Sequence, residues 1–132
     1  MGVRRIVFRG YNLKNKQWIY GYYLVNRGKH YIVKDEVVEP FKEESDFEVD
    51  PESVGQYVGE VGGIDLYEGD IANFVYGDNL LNLHGTVVWD GLFCGYVLRP
   101  GDYGGHSIST EQDFLKCKIL GNKYEKERIS NP

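Results

Sequence analysis

Between Gln17 and Val25 the chain places Trp18, Tyr20, Tyr22 and Leu24 at every second position. A period of two puts these side chains on one side of an extended strand, whereas a helix would scatter them around its axis. Seventeen glycines and eleven tyrosines in 132 residues extend that preference along the chain, because rings suit a pleated surface and glycines suit its turns. The expected class is all-β, mainly strand with one or two short helical turns. A chain of this length encloses one modest core.

Four stretches follow from this reading. Residues 1–34 form a basic, aromatic β-meander, with strands over Val3–Gly10, Gln17–Val25 and His30–Lys34 and turns at Asn12–Lys16 and Asn26–Lys29. Residues 35–53 form an acidic connector. It contains a short helical turn in which Asp50 caps, Pro51 takes the first helical position and Glu52 follows. Residues 54–124 read as a small SH3-like curled barrel, with strands over Leu66–Tyr76, Gly85–Trp89, Gly95–Leu98 and Lys118–Tyr124. Asp90-Gly91 is its clearest hairpin signal, and Ser109 or Thr110 is placed to cap a short helix running to Leu115. Residues 125–132 read as a tail, and the whole is expected to pack as one unit. No internal repeat is legible.

The formal charge of −5 divides unevenly. Residues 1–33 carry seven basic side chains and no acid, and residues 34–52 carry nine acids against two lysines. Blocks of opposite sign placed in succession point to contact between them, within a chain or between copies. No apolar run approaches the roughly 18 residues of a membrane span, and no secretory pattern opens the chain, so a cytoplasmic location and no membrane partner are expected. Cys94 and Cys117 are isolated and read as reduced thiols.

Candidate chemistry is sparse. Glu68 and Asp70 lie in Leu66-Tyr67-Glu68-Gly69-Asp70-Ile71, where the glycine permits a positive-φ turn and the Asp can accept backbone N–H bonds. That structural role is preferred over a catalytic carboxylate pair. Asp102, His106, Ser107 and Ser109 crowd one glycine-rich loop without a supporting frame, which favours a hydrogen-bonded loop histidine over a nucleophile–base pair. His30, His84, His106, Cys94 and Cys117 match no metal-ligand spacing. No cofactor motif occurs, and no catalytic or metal-binding residue is assigned. The best lead is the N-terminal meander: Arg4, Arg5 and Arg9 can follow a phosphate backbone, and Trp18, Tyr20 and Tyr22 can stack bases or face another subunit. Alternating aromatics next to an acidic block favour subunit contact, with nucleic-acid binding as the alternative.

Several segments in order resemble the YopX-like family of phage and prophage proteins. They are Ile6–Asn12 with Lys14–Trp18, Val54–Gly59, Tyr67–Ile71, Gly85–Asp90 and the closing Ile119–Glu125. The loop Glu60–Asp65 is shorter than that family's usual turn, and Lys123 stands where the closing motif usually has an apolar residue. The resemblance implies a mostly β, homo-oligomeric phage or prophage accessory protein, with no established activity and no catalytic residues to carry over. The expected partners are a second copy of the chain and a phage or host protein.

Overall fold

The computed structural model describes residues 6–34, 44–76, 81–108 and 115–129. They form an all-β chain of antiparallel strands with a few single helical turns. It divides into two compact units, residues 1–57 and 58–132.

In the first unit, β1 (Phe8–Asn12), β2 (Gln17–Asn26) and β3 (Lys29–Val33) form the expected meander. The first strand lies further along than Val3–Gly10, and its opening residues 1–5 fall outside the described ones. Gly10-Tyr11-Asn12 stay extended because the turn needs only Leu13–Lys16, where Lys16 takes the positive φ of 53°. Strand β2 changes partner halfway. Gln17–Gly21 pair with β1, and Tyr22–Asn26 pair with β3. Gly21 sits at the crossing, where an added Cβ would collide with the carbonyl oxygen of Val33.

Residues 47–57 then bond to both outer edges of the meander. Ile32 N–H donates to the Phe47 carbonyl at 2.9 Å, and Val49 N–H donates to the His30 carbonyl at 2.9 Å. On the β1 side, Asp50 N–H donates to Tyr11 O at 3.0 Å, and Tyr11 N–H donates to Ser53 Oγ at 2.7 Å. Strand β4 (Gly55–Val61) continues that edge, with Phe8 opposite Gln56 and Arg9 opposite Gly55. The ring so formed encloses Ile32 and Val49, whose burial stabilises by about 1.5–3 kcal/mol each. The helical turn Pro51–Ser53 forms as expected, with Asp50 Oδ1 accepting from Glu52 N–H at 3.1 Å.

Strand β4 passes into the second unit and is followed by β5 (Ile64–Tyr67). Next come β6 (Asp70–Tyr76), β7 (Leu81–Asp90), β8 (Gly95–Arg99), β9 (His106–Ser107) and β10 (Leu115–Asn122), in the sheet order β10-β6-β7-β8-β9. A meander whose last strand returns beside its first is the order expected of an SH3-like curled sheet. Ala72, Phe74, Val87 and Leu98 from its inner face meet Val61 and Leu66 in a core with almost no solvent exposure.

The hairpin signalled by Asp90-Gly91 forms between β7 and β8, and one local expectation, the loose tail, is corrected. Asp90-Gly91 opens a four-residue turn, 91–94, in which Cys94 rather than glycine takes the positive φ of 51°. Asp90 Oδ1 accepts from Leu92 N–H at 2.8 Å and holds the wider turn. Of the expected tail, Glu125–Ile129 is helical rather than loose, and Asn122 Oδ1 accepts from Glu125 N–H at 2.8 Å as its cap. The proposed capping residues Ser109 and Thr110 lie outside the described residues.

The two units repeat one backbone plan. The register Phe8↔Gly21 through Asn12↔Gln17 recurs as Ala72↔Gly85 through Tyr76↔Leu81. Strand β7 changes partner as β2 does, with Thr86 opposite Arg99 where Tyr22 is opposite Val33. At the crossing stands Gly85, where an added Cβ would collide with the Arg99 carbonyl. The Tyr31↔Glu48 bridge has its counterpart in Val97↔Ser107, and β4 meets β1 where β10 meets β6. This backbone plan therefore occurs once in each unit.

Candidate functional site

The outer face of the first unit's sheet carries the sequence candidates. Pairing places Arg9 and Tyr11 of β1 on the same side as Trp18, Tyr20, Tyr22 and Leu24 of β2. The face grades from covered to open. Arg9 is only 7% exposed, with its guanidinium 4.9 Å from the centre of the Trp18 ring. Tyr11 meets Trp18 edge-on, with ring centroids 5.4 Å apart. Beyond them Tyr20, Tyr22 and Leu24 are 46%, 54% and 43% exposed. The structure thus brings together four of the six candidates; Arg4 and Arg5 lie outside the described residues.

The inner face explains why the outer one is left with the aromatics. Gly10 and Gly21 make room there for Val49 and for the Val33 backbone. Phe8, Tyr23 and His30 line up beside them, with Tyr23 stacked 5.7 Å from His30 and its hydroxyl hydrogen-bonded to Nδ1. Ile32 and Val49 fill the interior, and these three half-buried rings border it.

The basic and acidic blocks meet at Lys14. Lys14 Nζ lies 3.0 Å from Asp46 Oδ1 and 3.1 Å from Ser45 Oγ. Such an exposed pair contributes about 0.2–1 kcal/mol. The stronger link is uncharged: fully buried Asn12 donates from Nδ2 to the carbonyls of Ser45 and Glu48 at 3.0 and 2.9 Å. Its Oδ1 accepts from Asn15 N–H at 2.6 Å.

In the second unit, Asp70 has the structural role read from the sequence. It is 3% exposed, its Oδ2 accepts from Tyr67 N–H at 2.8 Å, and Gly69 takes a φ of 94°. Behind it, burial and then the Asp70 charge push the Cys117 thiol up to about 11. A raised thiol value favours the neutral form of the folded chain, so this contribution is complete below the ordinary thiol range near 8.5. It is lost as pH rises through about 11. Iodoacetamide at pH 8 is therefore expected to label exposed Cys94 well before Cys117, read by intact mass. Equal labelling rates would contradict this placement.

The outer face of the second sheet holds a cavity of about 430 Å³, lined in part by Thr86, Arg99, Asp102, Lys123 and Lys126. Of the carboxylate and imidazole candidates Asp70, Asp102 and His106, Asp102 is the one that lines it. The sequence singles out Asp102 but not the cavity, because its walls come from β6, β7, β8, the loop at 101–102 and the C-terminal turn. A second local cue is Asn122 with Glu125 three residues on, a capping spacing that announces the turn carrying Lys126.

Among the described residues, no group of three or more His, Cys, Asp or Glu side chains is placed to hold a metal ion. No helix among them is long and apolar enough to cross a membrane. No protein-family model, curated protein or solved structure matches the chain.

Proposed function

We propose that the protein works by binding rather than by catalysis, and that the open aromatic face of β2 is its contact with a second copy of the chain. The observation carrying this reading is the run Tyr20, Tyr22 and Leu24, each more than two-fifths exposed on one strand face. Tyrosines in such a run offer large, stiff contact area with a polar tip, which suits an interface that forms and dissolves. The resemblance to YopX-like proteins adds a phage or prophage accessory role and a homo-oligomer. Arg9, folded against Trp18, serves to stiffen this face rather than to reach a phosphate.

Sedimentation velocity over a concentration series tests the reading. The wild-type chain is expected to self-associate by tens of micromolar, roughly the range of modest interfaces. The double variant Tyr22→Ser/Leu24→Ser is expected to remain monomeric and folded. A wild-type monomer throughout, or association undiminished in the variant, would count against it.

A further inference from the structure

We propose that the cavity on the outer face of the second unit's sheet binds a small hydroxylated phosphomonoester. Its size, about 430 Å³, falls in the range of small-molecule sites. Three cationic side chains converge on it, Arg99, Lys123 and Lys126, in a chain whose formal net charge is −5. Among the described residues neither lysine has an ion-pair partner, although Asp102 and Glu127 line the same space.

Arg99 is held in advance. Its Nη2 is ion-paired with Asp90 Oδ2 at 2.5 Å, which leaves the two lysines as the uncompensated charges, and its Nε donates to the Gly104 carbonyl at 2.7 Å. Two of the five guanidinium N–H groups are thereby used to fix the plane, which leaves three for a ligand. The floor is formed by side chains of paired strands, Ile71 of β6 with Thr86 and Val88 of β7, so it is rigid.

The repeated backbone plan supplies a second observation. Thr86, Val88 and Arg99 stand where the first unit has Tyr22, Leu24 and Val33. A valine satisfies the fold at the position of Arg99, so the scaffold does not demand a cation there. At these three positions the first unit has one aromatic and two aliphatic side chains and the second a threonine, a valine and an arginine, so one backbone carries either set and Arg99 is left to answer to a ligand. The cations suit one phosphate. The carboxylates of Asp102 and Glu127 disfavour a second anionic group and accept bonds from hydroxyls. A sugar phosphate and a nucleoside monophosphate share this chemistry.

Calorimetric titration of the full chain at low salt with ribose 5-phosphate, adenosine monophosphate, inorganic phosphate and a short single-stranded oligonucleotide tests the proposal. The expected result is saturable binding of the two esters with Kd below about 1 mM. Binding should weaken at least tenfold in Lys123→Gln/Lys126→Gln, whose circular dichroism should be unchanged because both side chains are exposed. Tighter binding of the nucleotide than of ribose 5-phosphate would assign a nucleotide, and equal binding a sugar phosphate. Four results would overturn the proposal: no saturable binding of either ester, affinity unchanged in the double variant, inorganic phosphate binding as tightly as the esters, or lysine-dependent binding seen only with a single-stranded oligonucleotide.

Discussion

Gly21→Ala and Gly85→Ala are each expected to destabilise the protein by about 3 kcal/mol, the upper range for forcing atoms into a packed site. At both positions the added methyl collides with a backbone carbonyl, Val33 in one unit and Arg99 in the other. A carbonyl in a strand cannot turn aside as a side chain can. Relief requires parting β2 from β3, or β7 from β8, at the point where the long strand changes partner. A loss of 3 kcal/mol is a large share of the roughly 5–15 kcal/mol that holds a domain folded. Gly91→Ala is the control, since nothing lies within 4 Å of its added Cβ; its effect should stay within about 0.5 kcal/mol. Urea unfolding of the three variants measures this, and equal midpoints would contradict the crossing geometry.

Asn12→Asp is expected to cost about 3 kcal/mol and to loosen the first unit selectively. Asn12 is fully buried and its two Nδ2 donors hold the Ser45 and Glu48 carbonyls. Aspartate keeps the shape but replaces the donors with acceptors, leaving two carbonyls unsatisfied beside a negative charge. The segment 47–57 then loses its anchor next to the hairpin and its bonds to both edges of the meander weaken. Hydrogen exchange should show Ile32 and Val49 amides exchanging much faster, with the Phe74 and Val87 amides of the second unit little changed. Uniform loss of protection in both units would argue against separate compact units.

The strands were legible because their chemistry is local. Alternation marked β2, Asp50-Pro51 marked a helical turn, and Gly69-Asp70 marked a turn closed by a carboxylate. The repeated plan was not legible. Apart from the glycines at the two crossings, the described strands share almost no residues: Phe8 stands against Ala72, Gly10 against Phe74, and Tyr23 against Val87. Backbone hydrogen bonds define the plan and are blind to side chains, whereas the crossing tolerates no Cβ. One glycine in each unit is therefore the trace that the shared plan leaves in the sequence. The aromatic face was read from periodicity, but the grading from covered Arg9 to open Leu24 depends on which neighbour lies over each residue. The cavity was hidden for a further reason, since its cations stand on β8 and the C-terminal turn, far apart in sequence.

Self-association through β2 is tested most directly by amide chemical shifts of the isotope-labelled chain, recorded from about 10 μM to about 1 mM, a span that brackets modest interfaces. Shifts that move with concentration are expected at Tyr20–Leu24 and at their β1 and β3 neighbours, and should be abolished in Tyr22→Ser/Leu24→Ser. Shifts that stay constant throughout, or that move only at residues away from this face, would contradict it.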